Sequence, residues 1–228
     1  MSKERKKIRL LMNINTYDGF CSHIFVSRET YAKFCIFYKT LIKWQNSINL
    51  ISKDTVKNIW ARHFLDSAQL YTFVRDVKGN VFDFGTGAGF PGLILAMMGQ
   101  ENIHLVESDH KKCVFLREVA MLTQIDITIH NCRIENLSFI NVDLITCRAL
   151  APLKKLIYYV EIFLSKSLEE KKTFPKLLFL KGNSYKYELL ELCKTKKIIY
   201  QEYPSLTDKY SKILCINSVD KLDVKNEK

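Results

Sequence analysis

The sequence predicts an α/β protein built on a mostly parallel β-sheet behind an N-terminal helical segment. From Val81 onward, short apolar runs alternate with amphipathic stretches of about the length of a crossover helix. This alternation is typical of strands and helices in a parallel sheet. Before that point, over about the first 75 residues, apolar side chains recur mainly at helical spacing.

The N-terminal segment, residues 1–76, is predicted to contain two main helices. Ser27 is a suitable N-cap because its hydroxyl can accept a bond from an amide of the first turn. The apolar positions that follow at helical spacing are Phe34, Phe37, Tyr38, Leu41, Ile42 and Trp44. Residues 46–52 indicate a break, and a second helix is expected from about Asp54 to Phe73. We expect both tryptophans, Trp44 and Trp60, to belong to the core.

The remainder, residues 77–219, is predicted to form one domain with seven strands. The expected strands are residues 81–84, 103–106, 127–129, 142–145, 177–180, 198–203 and 213–216. The last two lie close together in sequence, as an antiparallel pair would. Helices are expected at 152–164 and 185–193, and residues 220–228 read as a polar, frayed tail.

Composition and charge narrow the class of protein. Hydrophobic residues make up 47% of the 228 residues, which favours a globular fold. The formal net charge is +11, from 35 basic and 24 acidic side chains. A basic globular protein typically meets a polyanion, either nucleic acid or an anionic membrane surface. No apolar stretch reaches the length of a signal peptide or a membrane span, so we expect a cytoplasmic protein without a membrane partner, and we favour a monomer.

Seven cysteines are scattered without a Cys-x-x-Cys pair. This pattern argues against a disulfide framework and against a zinc site, so no metal is predicted. Cys147 follows an apolar run and is interpreted as a core thiol.

A glycine-rich turn is the most informative segment. Asp83 is followed by Gly85, Gly87 and Gly89, after a predicted strand and before a predicted helix. Glycines allow positive φ and let a ligand approach the backbone, and the amides at a helix start can bind anionic groups.

Two adenosine cofactors fit this turn. Gly87, Gly89 and Gly92 also match the spacing of a nicotinamide-binding turn, so a nicotinamide-dependent oxidoreductase stays an alternative. Asp83 favours S-adenosylmethionine, because an acid there can hold the ligand's amino end directly or through water. Glu107 ends the second strand, and its carboxylate can accept both ribose hydroxyls of either cofactor.

Several longer motifs resemble a known family. The matching stretches are residues 44–50, 62–67, 85–92, 133–135, 147–150 and 180–182, in the family's order over about residues 27–216. On these motifs the chain resembles the glucose-inhibited-division B family, the bacterial 16S rRNA guanine-N7 methyltransferases. The resemblance implies a class I methyltransferase fold, S-adenosylmethionine as the cofactor, and methylation of the guanine at position 527 in the 530 loop.

The resemblance also assigns residues. It places cofactor contacts on Gly85, Phe90, Ile134, Glu135 and Arg148, whereas Gly87 and Glu107 follow from the turn and the ribose site. Two departures stand out. Residues 165–173 replace the family's usual Gly-Gly turn. In place of an arginine entering the last strand the chain has Ser211, between Lys209 and Lys212.

The chemistry implied by the family needs no general base. Guanine N7 has a free lone pair and loses no proton, so an in-line approach and exclusion of water suffice. The Asn/Asp-Pro-Pro-aromatic motif that would serve exocyclic amines is missing, and Cys147 has no neighbouring proline, which argues against the covalent cytosine route. Arg148 could anchor the cofactor, contact a phosphate or form a surface ion pair.

Contacts with RNA are expected from basic side chains. The candidates are Arg62, His63, Arg133, Lys181, Lys209 and Lys212, with the lysine-rich stretches 3–9, 166–176 and 194–197. A local Arg62–Asp66 ion pair, a packing role for His63 and a solvated Lys181 are equally compatible with the pattern. A non-catalytic RNA-binding module stays open, and the substrate could be naked 16S rRNA, an assembly intermediate or the small subunit.

Overall fold

The helical N-terminal segment is confirmed in the computed structural model, which describes residues 14–167 and 173–221. Its helices are α1 (Tyr17–Cys21), α2 (Arg28–Gln45), α3 (Lys53–Val56), a π-helical segment (Trp60–Leu65) continued by α4 (Asp66–Ala68), and α5 (Tyr71–Val74). Ser27 caps α2 as predicted, since its hydroxyl accepts a hydrogen bond of 3.0 Å from the amide of Thr30.

The expected continuous helix from Asp54 to Phe73 is wrong, because this stretch is divided into four short pieces. Within the π-helical segment the backbone bonds span five residues instead of four, so side chains four apart no longer share a face. Arg62 accordingly does not pair with Asp66. Its Nη1 lies 3.2 Å from Oδ2 of Asp208 instead.

All seven predicted strands are present in one sheet. They are β1 (Val81–Phe84), β2 (Ile103–Val106), β3 (Thr128–His130), β4 (Leu144–Arg148), β5 (Lys176–Lys181), β6 (Lys196–Pro204) and β7 (Lys212–Lys221), in the order β3-β2-β1-β4-β5-β7-β6. The pairs among β1 to β5 are parallel, and β7 runs antiparallel to both of its neighbours. β7 continues to Lys221, so the tail predicted from residue 220 begins too early. Residues 222–228 lie outside the described part of the chain.

Helices cover both faces of the sheet, and the N-terminal segment packs into one of the two apolar cores, together with the first two crossover helices. The crossover helices are α6 (Gly92–Met97), α7 (His110–Thr123), α8 (Leu153–Ser165) and α9 (Tyr185–Cys193). Phe37 of α2 stacks on Phe90, with ring centroids 4.9 Å apart, and Trp44 Nε1 donates to Glu118 Oε2 at 2.8 Å. Buried Trp60 packs in the same core. Because this packing is apolar and continuous, the helical segment holds a fixed position against the sheet.

The cysteines form no disulfide in the described residues, 14–167 and 173–221. All seven cysteines fall in these ranges and are free, and Cys147 is buried in the core as expected. Within the same ranges no helix is long and apolar enough to cross a membrane. No cluster of three or more His, Cys, Asp or Glu side chains suited to a metal ion occurs there either.

Candidate cofactor and RNA site

A cavity of about 680 Å³ opens at the carboxyl ends of the parallel strands. Gly85 follows β1, Glu107 follows β2, Ala149 follows β4 and Gly182 follows β5, and all four line this cavity. Open parallel sheets bind ligands at this edge, where the loops after the strands meet. The volume is in the range of small-molecule and cofactor sites.

The glycine turn forms one wall of the cavity. Gly85, Gly87 and Gly89 have φ values of +65°, +58° and +91°, so all three adopt the left-handed conformation that glycine tolerates. A Cβ at Gly85 would lie 2.6 Å from Leu150, whereas at Gly87 the nearest atom would be 3.9 Å away. The face at Gly87 is therefore open for a ligand to approach the backbone.

Asp83 has a different position from the one predicted. It is 1% exposed and is not part of the cavity wall. Its Oδ2 accepts bonds from the Thr86 hydroxyl (2.6 Å) and the Gly92 amide (2.9 Å), and Oδ1 accepts from the Thr146 hydroxyl (3.0 Å). Burial raises the pKa of this carboxyl to about 6, although its hydrogen bonds act in the opposite direction. These contacts correct the expectation that Asp83 holds a ligand directly, because the side chain fastens the turn to α6 and β4.

Glu107 lies in the cavity wall as the sequence predicts. Its Oε2 accepts a 3.1 Å bond from the Gly87 amide, and Oε1 accepts a 2.7 Å bond from the Asp109 amide. These two amides fix the carboxylate beside the glycine turn. Each oxygen keeps a second lone pair that can accept a hydroxyl.

Arg148 is mostly buried in the opposite wall, so it is not part of a surface ion pair. Its Nη1 donates to the backbone oxygen of Arg62 at 2.8 Å and lies 3.7 Å from Asp66 Oδ2. Its guanidinium carbon is 5.1 Å from the centroid of the Phe90 ring, a distance at which a cation is attracted to the ring face. Arg148 thus joins the end of β4 to the helical segment.

His63 is a further partner of Arg148. Arg148 Nη2 donates to His63 Nδ1 at 2.7 Å, and His63 Nε2 lies 2.9 Å from Thr55 Oγ1. Burial, with the charge of Arg148 adding to it, lowers the pKa of His63 to about 3, so the ring is neutral. Since arginine can only donate, Nδ1 accepts and Nε2 carries the proton that is donated to Thr55. These contacts favour the packing role of His63 over a direct RNA contact.

The loop between β6 and β7, residues 205–211, closes the cavity on the side of the helical segment. Thr207 Oγ1 donates to Asp66 Oδ1 at 2.7 Å, and the Leu206 amide donates to Gln69 Oε1 at 2.8 Å. Ser211, at the end of the loop, lines the cavity. This antiparallel hairpin therefore reaches the same edge as the parallel strands.

The other predicted cofactor residues, Phe90, Ile134 and Glu135, all line the cavity. Phe90 is held between Phe37 and His63, whose ring centroids lie 4.9 and 5.0 Å away. Ile134 is buried and Glu135 is exposed. Together they supply an apolar surface with a carboxylate at its border.

The predicted RNA contacts fall into two groups. Arg133 is exposed at the cavity rim, and Lys209 and Lys212 lie at the β6–β7 hairpin. Lys181 is different, because its side chain is 9% exposed and its Nζ lies 2.6 Å from Glu188 Oε2 and 3.0 Å from the Ala151 oxygen. Lys181 is therefore neither a solvated lysine nor an accessible phosphate ligand. It ties the end of β5 to α9.

The lysine-rich stretches are only partly described. Residues 3–9 and 168–172 lie outside the described residues. Lys166 Nζ bonds the backbone oxygens of Glu135 and Leu137, so this lysine fixes the loop after β3. In the third stretch Lys194 pairs with Glu191, and Lys196 with Glu161. These lysines have structural partners, which weakens their assignment as phosphate contacts.

Several cavity residues were missed from the sequence. Leu50, Ile51, Ser52 and Thr55 form part of the wall, although this stretch reads only as a break between helices. Ser184 and Glu188 of the β5–α9 region also line the cavity. Leu50 ends the 44–50 motif, but no spacing or motif marks the other positions, because tertiary packing brings them to the cavity.

The chain matches one protein family over most of its length. Residues 30–214 match the model of the rRNA small subunit methyltransferase G (GidB) family. The protein belongs to this family. It is 42% identical to ribosomal RNA small subunit methyltransferase G of Paramagnetospirillum magneticum over 86% of this chain and 92% of the relative. The enzyme of the same name from Orientia tsutsugamushi (strain Ikeda) is 40% identical over 87% and 96%. The predicted family, activity class and cofactor are confirmed by this membership, and the nicotinamide-dependent alternative is wrong.

Solved structures confirm the predicted fold. Magnesium protoporphyrin IX methyltransferase from Synechocystis PCC 6803 with bound S-adenosylmethionine superposes with a TM-score of 0.56 at 13% identity, over 86% of this chain and 99% of that one. A variant of MtNAS in complex with S-adenosylmethionine gives a TM-score of 0.54 at 14% identity, over 94% and 92%. At such low identity these similarities concern the fold alone.

Proposed function

We propose that this protein transfers a methyl group from S-adenosylmethionine to N7 of a guanine in 16S rRNA, at position 527 of the 530 loop. The observation that carries the proposal is that one cavity is lined by both a cofactor-type glycine turn and basic side chains. Its lining contains the open glycine turn beside Glu107 and also basic side chains, among them Arg133 and Arg62. The hairpin that carries Lys209 and Lys212 reaches the cavity at Ser211. The net charge of +11 supports a polyanionic substrate.

The residues of the cavity fit the cofactor. The turn leaves the backbone at Gly87 open, and the fixed carboxylate of Glu107 can accept the two ribose hydroxyls. Phe90 and Ile134 provide apolar contact area. When bound, S-adenosylmethionine supplies an electrophilic methyl group on a sulfonium.

The side chains of the opposite wall suit a reaction without proton removal. His63 is neutral, accepts from Arg148 and donates to Thr55, so neither nitrogen is available as a base. Asp66 Oδ1 already accepts bonds from Thr207 and Gln69, and its other oxygen faces Arg148. Guanine N7 needs no base, only alignment and exclusion of water. The task of these residues is therefore to hold the shape and charge of the cavity.

The chemistry is tested on the RNA product. 16S rRNA methylated by the purified protein with radiolabelled S-adenosylmethionine is treated with borohydride and aniline, which cleave RNA at 7-methylguanosine. We expect one cleavage site, at guanine 527. A labelled product that resists cleavage would show that a different atom is modified, and a protein that binds the cofactor without labelling RNA would favour a non-catalytic module.

The contribution of phosphate contacts is tested by salt. If about six phosphates are neutralised, RNA affinity should fall on the order of a hundredfold or more between 50 and 200 mM salt, because counterions are released on binding. Filter binding across this range measures the slope. The affinity for the demethylated cofactor, measured by titration under the same conditions, is the control and should change little. An RNA affinity that does not depend on salt would contradict the electrostatic argument. Parallel assays on naked rRNA, assembly intermediates and finished subunits identify the substrate particle.

A further inference from the structure

The hairpin loop 205–211 is held in one position beside the cavity. Leu206 and Thr207 bond Gln69 and Asp66 of the helical segment, and Asp208 pairs with Arg62 at 3.2 Å. Several bonds from different loop residues restrict the loop more than any one of them could. The loop backbone therefore has a defined place beside the cavity, which Ser211 lines.

Tyr210 projects from this loop with 56% of its surface exposed. It directly precedes Ser211, which lines the cavity. Its amide donates to Asp208 Oδ1 at 2.9 Å, so its backbone is fixed by the residue that pairs with Arg62. The ammonium of Lys209 lies 4.7 Å from the ring centroid. Among the described aromatic side chains, none stacks on this ring.

An exposed aromatic ring on a held backbone, beside a positive charge, is suited to an unpaired nucleobase. Enzymes that act on a base remove it from the stack, and this costs a few kcal/mol of stacking and pairing. Aromatic side chains can replace the lost stacking, because every base has a π-face. A ring on the residue next to Ser211, which lines the cavity, is placed to contact the bases next to the one that enters.

We propose that Tyr210 stacks on an unpaired nucleobase of the RNA next to the target guanine, with the positive charge of Lys209 beside the stack. The identity of the target rests on the proposed function, whereas the stacking itself does not.

Substitution of Tyr210 tests the stacking directly. The probe is a single-stranded oligoribonucleotide of about 12 nucleotides that contains 2-aminopurine, whose fluorescence falls on stacking. Tyr210→Ala should weaken binding roughly fivefold to a hundredfold, the range expected for one lost base stack, and should abolish the quenching. Tyr210→Phe keeps the ring and should bind like the unmodified protein.

Tyr158 provides a matched control. It is also 56% exposed, but it lies on α8 and not on the hairpin loop. Its neighbour Tyr159 lines the cavity, but successive residues of an α-helix project about 100° apart, so Tyr158 faces away from it. Tyr158→Ala should leave oligonucleotide binding unchanged, and all three variants should keep their affinity for S-adenosylhomocysteine. On 16S rRNA, Tyr210→Ala should raise KM more than it lowers kcat.

Two results would overturn the assignment of Tyr210. One is equal oligonucleotide affinity of the Tyr210→Ala and Tyr158→Ala variants, and the other is quenching that persists in Tyr210→Ala. Failure of the proposed function appears separately, as absence of cleavable 7-methylguanosine in the product of the unmodified protein. In that case the oligonucleotide comparison still decides whether Tyr210 stacks on RNA.

Discussion

The two walls of the cavity are built on different principles. The glycine wall (residues 85–89 with Glu107) uses backbone conformation and amides in the loops that follow β1 and β2. The helical wall (residues 50–66 with Arg148 and the 205–211 loop) uses side chains that come from three distant parts of the sequence. The first wall depends mainly on the neighbouring strands β1 and β2 and the loops after them, whereas the second exists only when the helical segment, β4 and the hairpin have met. Substitutions in the two walls should therefore have different effects on ligand binding and on folding.

The largest effect is expected at the centre of the glycine wall. Gly85→Val should abolish measurable binding of S-adenosylmethionine, because φ is +65° and a Cβ would lie 2.6 Å from Leu150. Isothermal titration measures the affinity, and the thermal unfolding midpoint reports whether the variant is folded. Affinity equal to that of the unmodified protein would show that the ligand does not bind at this turn.

The second largest effect is expected on the pH dependence of stability, through Asp83, the buried acid that hydrogen-bonds the glycine turn. The pKa of Asp83 is about 6 in the folded protein, against about 3.9 in an unfolded chain. A raised acid pKa means that the folded state binds more protons between these values, so this group's contribution to stability falls as pH rises from about 4 to 6. The expected change is up to about 3 kcal/mol.

Asp83→Asn isolates this contribution. The difference in unfolding free energy between the unmodified protein and the variant should change by about 2–3 kcal/mol from pH 4 to pH 6, in favour of the variant at higher pH. Urea unfolding at several pH values gives the difference. A difference that does not vary with pH would contradict the raised pKa of Asp83.

The helical wall is tested at His63. His63→Ala removes the acceptor for Arg148 and the partner of Thr55, and should lower the unfolding free energy by about 1–3 kcal/mol. His63→Gln should recover part of this loss, because an amide can accept from arginine and donate to threonine. Thr55→Val is the control that removes only the outer bond.

The cofactor affinity of the His63 variants tests whether His63 acts through Arg148. If His63 positions Arg148, His63→Ala should lower cofactor affinity in the unmodified background and should have no further effect when Arg148 is already replaced by Met. Equal losses in both backgrounds would mean that His63 acts without Arg148.

The smallest effect is expected at the exposed edge of the helical wall. Arg62 and Asp208 are 47% and 29% exposed in their side chains. Arg62→Met should change the unfolding free energy by only about 0.2–1 kcal/mol, because exposed pairs are screened and lose side-chain entropy. The difference should shrink in 1 M salt. A larger, salt-independent loss of unfolding free energy would indicate that the Arg62–Asp208 pair is a main interaction holding the hairpin to the helical segment.

The sequence was most informative where structure depends on nearby residues. The seven strands, the glycine turn and the place of Glu107 could be predicted because apolar runs, glycines and strand ends report local backbone structure. The role of Asp83 could not, since the same acid at a strand end can face a ligand or turn inward. Its burial depends on Thr146, which is 63 residues away. The local Arg62–Asp66 pair, one of the two alternatives for Arg62, is not formed because a π-helical segment changes the helical phase.

By itself, the sequence determined the family, the sheet and the glycine wall, because these are encoded by motifs and by the alternation of short segments. The tertiary structure decided the helical wall. Arg148 meets His63 and Asp66 across more than 80 positions, and the hairpin meets Asp66 and Gln69 across more than 130. Such contacts follow from the packing of α2 and Phe90 in a shared core, and no local pattern specifies which distant polar groups that packing brings together.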